Sequence, residues 1–150
     1  MKLKYCMMEV DIPMVKQPIG PNLSTPQNVV AFVPELKGLA QEVMAVISLN
    51  TKYRPIEKRI VSVGIVDSSL AHPREIFRGA IQDNASAIIL VHNHPSGSAS
   101  PSAEDIRITR QMVEAGRILG IEVLDHVIVG DDNETPSYIS LREAGLVSFC

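Results

Sequence analysis

The feature that most constrains the fold is a short, unbroken apolar run, Ala87-Ile88-Ile89-Leu90-Val91, which leads directly into a turn-rich segment. A strand with one face in water alternates apolar and polar residues, whereas a strand covered on both faces is apolar throughout. The run therefore predicts a central strand in a sheet that is packed on both sides.

Helical and extended patterns alternate around this strand. Thr25-Pro26 has the residue types of an N-cap and a first helical position, and Pro34 is expected to end or kink that helix before Lys37-Gly38. The other predicted elements are helices at 72–83 and 101–119 and strands at 2–10, 42–49, 60–66, 121–129 and 138–141. The helix at 72–83 is assigned from one apolar stripe, Ile76, Phe77, Ala80 and Ile81. This order predicts an α/β fold, a three-layer α/β/α sandwich around a mixed central sheet.

Length and composition indicate a single cytoplasmic domain. A chain of 150 residues suits one globular unit, here 25–150, after a proline-rich and irregular leader at 1–24. Cys6 and Cys150 stand at opposite ends, which is typical of free thiols in a reducing compartment. No membrane-spanning run or signal peptide is recognisable. With a net charge of −3, no tryptophan and no basic cluster longer than Lys58-Arg59, the chain has no strong nucleic-acid signature.

The residues that follow the central strand suggest a metal site. His92 and His94 share one face of an extended backbone, so both imidazoles can bind the same ion. Pro95 and Gly97 then allow the chain to reverse, and Asp105 lies early in the next helix, where it can reach back to the histidines. Two histidines and one carboxylate leave a zinc position open for water, which is typical of catalytic rather than structural zinc.

Asp105 also has a second interpretation. The segment Ser102-Ala103-Glu104-Asp105 matches a capping box, in which the serine caps the helix and the aspartate belongs to its first turn. Spacing alone leaves the ligand and the cap open as alternatives. The combination of a buried strand, two histidines, a tight loop and an acidic helix start favours the metal.

The pattern His-x-His, seven residues, Ser, two residues, Asp resembles the JAMM/MPN metalloprotease signature. The segments Ala71–Phe77, Val91–Gly97 and Leu124–Gly130 narrow the resemblance to the JAMM domain of bacterial RadC proteins, from about Thr25 to the C-terminus. The family implies a cytidine-deaminase-like fold, zinc at the two histidines and the aspartate, and hydrolysis of amide or isopeptide bonds. It also implies a glutamate that handles the proton of the water, which Glu42 matches, and a serine, Ser102, that hydrogen-bonds the developing oxyanion.

The resemblance thus implies a zinc metallopeptidase or isopeptidase that acts on a peptide or protein conjugate. Two alternatives stay open: a DNA-repair or mobile-element accessory protein that acts by nucleic-acid or partner contact, and a metal-free scaffold. The sequence does not indicate an oligomeric state.

This chain also departs from the RadC pattern. Residues 1–23 do not resemble the helix-hairpin-helix segment that RadC proteins typically have. Gly64-Ile65-Val66-Asp67 replaces the common Gly-Thr-x-Asn, so substrate contacts there are expected to differ. We interpret His126 as a core histidine rather than one that orients a ligand, and His72 as structural.

Overall fold

The computed structural model describes residues 1–5, 8–64 and 72–150. Its strands are β1 (Lys2–Tyr5), β2 (Met8–Asp11), β3 (Val43–Leu49), β4 (Pro55–Val63), β5 (Ala87–Asn93), β6 (Glu122–Val129) and β7 (Tyr138–Ser140). Its helices are α1 (Pro26–Phe32), α2 (Pro73–Gln82) and α3 (Ala103–Leu119), and a 3-10 turn follows α1 at Pro34–Leu36.

Five strands form one mixed sheet in the order β4-β3-β5-β6-β7. β5 and β6 run parallel, and the other three neighbouring pairs are antiparallel. β5 has two strands on each side, which confirms the prediction that the apolar run is a central strand.

Alternate residues of β5 enter two hydrophobic cores on opposite faces of the sheet. Ile88 and Leu90 pack with residues of α2 and α3, whereas Ile89 and Val91 pack with residues of α1. Helices therefore cover both faces, and the predicted α/β/α sandwich is confirmed. No helix within the described ranges is long and apolar enough to cross a membrane.

The predicted helix ends agree with the observed caps. Thr25 accepts a hydrogen bond from the backbone N–H of Asn28 at 3.3 Å, and Pro26 is the first residue of α1. The helix ends at Phe32, and the 3-10 turn begins at Pro34, because proline cannot continue the hydrogen-bond ladder. α3 ends at Gly120, whose φ of 71° lies in the left-handed region that favours glycine.

The predicted start of the second hairpin strand is wrong. β4 begins at Pro55 rather than at Ile60, and it is an edge strand, where proline is tolerated. The polar residues 57–59 interrupt the apolar pattern by which a strand is recognised in the sequence. Their charged ends are paired in the fold with residues that are distant in the sequence. Arg59, for example, forms an ion pair with the buried carboxylate of Asp83.

Two further expectations are corrected. Residues 2–10 are not a single strand, because β1 and β2 pair as an antiparallel hairpin, so the leader is not irregular throughout. Ile81 is 56% exposed and lies outside the apolar stripe of α2, which Ile76, Phe77 and Ala80 form. The predicted strand end at Val66 lies outside the described residues, as does Cys6; Cys150 is an exposed free thiol.

Candidate metal centre

The end of β5 places two imidazoles side by side. His92 pairs with Met44 of β3 and Ile128 of β6, and the backbone N–H of His94 continues the ladder by donating to Val129 at 3.1 Å. The Nε2 atoms of the two histidines lie 3.0 Å apart. The side chain of His92 is 1% exposed and that of His94 16%, so the pair is accessible from the His94 side.

Asn93 lies between the histidines and anchors the neighbouring segment. Its Oδ1 accepts a hydrogen bond from the backbone N–H of Val43 at 2.7 Å, and its Nδ2 donates to the carbonyl of Gln41 at 3.0 Å. These two bonds bracket Glu42 and hold it beside the end of β5. The carbonyl of Glu42 also accepts a hydrogen bond from the N–H of Gly64 at 2.9 Å.

A tight loop returns the chain from β5 to α3. Gly97 has a φ of 89°, and its N–H donates to the carbonyl of His94 at 2.9 Å. This positive φ favours glycine, because other residues are strained in that backbone conformation. The next residue, Ser98, accepts a hydrogen bond at its carbonyl from Nδ1 of His94 at 2.9 Å, which leaves Nε2 of the neutral ring free to bind a cation.

Asp105 is the second member of the capping box of α3 and contacts both histidines at once. Ser102 Oγ accepts from the N–H of Asp105 at 3.1 Å, and Asp105 Oδ2 accepts from the N–H of Ser102 at 2.8 Å. Oδ1 of the same carboxylate lies 3.2 Å from His92 Nε2, and Oδ2 lies 3.1 Å from His94 Nε2. The two interpretations of this aspartate are therefore compatible, because the capping box orients the carboxylate toward the histidines.

Electrostatics at the site follow from burial and from these contacts. Burial alone would raise the pKa of Asp105, but the close contacts of its carboxylate with Nε2 of His92 and Nε2 of His94 outweigh it and hold that pKa well below the usual carboxyl range. With Nδ1 donating to Ser98, only the protonated ring of His94 can also donate from Nε2 to Asp105, and this contact raises the pKa of His94 against the opposing effect of burial.

Glu42 completes the cluster. Its Oε1 lies 3.5 Å from His92 Nε2, and its side chain is 20% exposed. Burial raises its pKa, and the nearby charges of His92 and His94 only partly offset this effect. A carboxyl group with a raised pKa beside a possible metal site is a candidate for accepting a proton from water.

The donor set fits a divalent metal ion. One ligand atom from each of Glu42, His92, His94 and Asp105 lies within 4.8 Å of the others. Ligands about 2.0–2.1 Å from a tetrahedral ion lie roughly 3.3 Å from each other. The two Nε2 atoms lie 3.0 Å apart, and the carboxylate of Asp105 approaches them with Oδ1 at 3.2 Å from His92 and Oδ2 at 3.1 Å from His94, close to that spacing.

Two residues behind this cluster are not assigned to the site by the sequence analysis, which gives His126 only a core role and does not identify Thr109. His126 of β6 is fully buried, and its Nε2 lies 2.7 Å from His92 Nδ1, so it is a core residue that also contacts a candidate ligand. Burial lowers its pKa well below the usual imidazole value. Thr109 lies 2.5 Å from the other ring nitrogen of His126. Thr109 follows Asp105 by one helical turn, and that spacing was the available signal.

His72 lies apart from this cluster. It is exposed, and its Nδ1 accepts a hydrogen bond from the N–H of Arg74 at 3.3 Å as the N-cap of α2. This contact agrees with a structural role.

Comparison with known proteins decides the family. The sequence model of the RadC-like JAB domain matches residues 23–146. The chain belongs to this family. A UPF0758 protein of Desulfitobacterium hafniense is 48% identical over 130 residues, which cover 86% of this chain and 56% of the relative. Another, from Alkaliphilus metalliredigens, is 51% identical over 116 residues, which cover 77% of this chain and 48% of the relative.

The chain therefore spans about half the length of the curated relatives it matches. A third relative, the UPF0758 protein of Methanosarcina mazei, is 40% identical over 126 residues, 83% of this chain and 53% of the relative. These names state no activity. The chain is thus a member of the RadC-like JAB family with a candidate metal-binding cluster. The segment 64–67 departs from the common family pattern, and its positions 65–67 lie outside the described residues.

Proposed function

We propose that this RadC-like JAB domain is a zinc-dependent hydrolase that cleaves an amide or isopeptide bond in a peptide or protein-conjugate substrate. The supporting observation is the convergence of His92, His94 and Asp105 beside Glu42, a carboxyl group with a raised pKa.

His92, His94 and Asp105 would hold the ion. Two imidazoles and a carboxylate match the three-ligand sets of catalytic zinc sites, whereas structural sites use four protein ligands. Zinc in such a site supplies a Lewis acid and lowers the pKa of water.

Glu42 would move the proton. Its Oε1 faces the histidine pair, so the carboxylate can accept a proton from the attacking water and deliver it to the nitrogen of the leaving amine. Burial raises the pKa of this carboxyl group, which favours the uptake of the proton from water.

Ser102 would stabilise the oxyanion. Its Oγ accepts the hydrogen bond from Asp105, and this contact uses a lone pair rather than the hydroxyl proton. No hydrogen bond among the described residues uses that proton, and the side chain is exposed at the start of α3. The hydroxyl can therefore donate to a substrate carbonyl oxygen as negative charge develops there.

Cleavage of a peptide library and of an isopeptide-linked conjugate by the zinc-loaded protein tests this proposal. We expect Glu42→Gln to lower kcat/KM by about 10²–10⁴-fold while bound zinc stays equimolar. Glu114→Gln is the matched control, because Glu114 is an exposed residue of α3 that pairs with Arg117. Equal activity of the wild type and Glu42→Gln, or no cleavage by the zinc-loaded wild type, would overturn the proposal.

A further inference from the structure

A buried hydrogen-bond chain lies behind the candidate metal centre. It runs from the carbonyl of Asp105 to Thr109 Oγ1 at 2.6 Å, from there to His126 Nδ1 at 2.5 Å, and from His126 Nε2 to His92 Nδ1 at 2.7 Å. His126 and Thr109 are 0% exposed, and His92 is 1% exposed. The donors and acceptors in the chain must therefore be satisfied by one another rather than by water.

The donors and acceptors of this hydrogen-bond chain can be assigned in only one way. The carbonyl of Asp105 can only accept, so the hydroxyl of Thr109 must donate to it. Because a hydroxyl has one proton, Thr109 must accept from His126, whose Nδ1 is then the protonated nitrogen.

The assignment continues to the metal centre. Among the described residues, no carboxylate lies within hydrogen-bond distance of the fully buried His126 ring, and its Nδ1 already donates to Thr109, so its Nε2 is placed to accept a hydrogen bond. His92 must then donate from Nδ1, which leaves the lone pair of its Nε2 directed at His94 and Asp105. The opposite orientation of the His126 ring would place carbon atoms against both polar neighbours.

We propose that Thr109 and His126 are positioning residues that hold His92 in the tautomer required for binding a metal through Nε2. The tautomer of His94 is held independently, because its Nδ1 donates to the carbonyl of Ser98. A metal-bound imidazole commonly donates its second N–H to a carboxylate, a carbonyl or water. Here the acceptor is Nε2 of another histidine, His126. That nitrogen can accept because Nδ1 of the same ring donates to Thr109.

The tautomer is measurable without metal. Long-range ¹⁵N–¹H correlation spectra of the metal-free protein, at a pH where the imidazoles are neutral, distinguish a protonated Nδ1 from a protonated Nε2. We expect His92 and His126 both to be protonated at Nδ1. Protonation of His92 at Nε2 in the wild type would overturn the inference, whatever the variants show.

Variants of Thr109 test the direction of the chain. Thr109→Val keeps the shape but removes the hydroxyl, so we expect mixed tautomers at His92 and a zinc affinity lowered by about 10–100-fold in competition with a chelating dye. Thr109→Ser restores the hydroxyl, and both readouts should return to within about threefold of the wild type. Met112→Leu, a buried substitution on the same helix, controls for general changes in packing.

The outcomes separate this inference from the proposed function, on which only the zinc readout depends. Unchanged tautomers and affinity in Thr109→Val would overturn the positioning role. If Thr109→Val does not fold, the wild-type spectrum and the Thr109→Ser affinity still decide. Normal tautomers with metal binding but no peptide cleavage would refute the hydrolase and leave the positioning role supported.

Discussion

Gly130→Ala is expected to disturb the candidate metal centre through the loop between β5 and α3. Gly130 follows β6 and lies against the loop between β5 and α3. An added Cβ would stand 2.2 Å from the carbonyl oxygen of Gly97 and 2.9 Å from the backbone nitrogen of Ala99. Both contacts are with backbone, so no side chain can rotate away and the loop itself must move. The residue between them is Ser98, whose carbonyl orients His94.

The magnitude has two parts. Overpacking of a close-fitted region costs about 1–3 kcal/mol, which sets the expected loss in the free energy of unfolding of the metal-free protein. Displacement of Ser98 also weakens zinc binding through His94. A tenfold weaker affinity removes about 1.4 kcal/mol from the stabilisation that excess zinc supplies.

Urea denaturation with a chelator and then with excess zinc separates these parts. We expect Gly130→Ala to be less stable than the wild type in both conditions, with a larger difference in zinc. Ser96→Ala, at an exposed position of the same loop, should change neither value. An unchanged stability of Gly130→Ala in chelator would refute the steric argument, and an unchanged zinc increment would refute the link through Ser98.

Two further predictions concern protonation. Zinc binding should weaken as pH falls through the raised pKa of His94, because the ion must then displace a proton from the ring. One displaced proton lowers the zinc affinity by about tenfold per pH unit. A zinc affinity that is unchanged between pH 8 and pH 6 in chelator competition would contradict this. Asp83→Asn should destabilise the fold by about 2 kcal/mol at pH 7, because it weakens partly buried hydrogen bonds from Arg59 and Lys16 to the buried carboxylate. Those bonds outweigh burial and lower the pKa of Asp83, so its contribution is present above about pH 4 and is lost as pH falls further. Urea denaturation should therefore show a smaller difference between the wild type and Asp83→Asn at pH 3, and an equal difference at both pH values would contradict the assignment.

The errors in the sequence-based fold prediction have a common origin. The start of β4 was misplaced because polar residues 57–59 interrupt the apolar pattern, and the partners of their charges lie elsewhere in the chain. Ile81 satisfied a helical stripe in the sequence but faces solvent, because the sheet covers only part of α2. Strand and helix periodicity report which residues can share a face, and only packing determines how wide the buried face is.

The sequence by itself determined the parts of the candidate metal centre that are local. The two-residue period of a strand places His92 and His94 on one face, and the capping box at the start of α3 orients Asp105. Each of these depends on a few adjacent residues and on standard backbone geometry.

Only the tertiary structure decided how distant residues meet this local centre. β3 and β6 lie on either side of β5, so Glu42, which immediately precedes β3, reaches the cluster from one side and His126 of β6 from the other. From the sequence, Glu42 was assigned through a family resemblance and His126 was interpreted only as a core residue. Strand order and register are set by the competition of whole faces for burial, which no local pattern records.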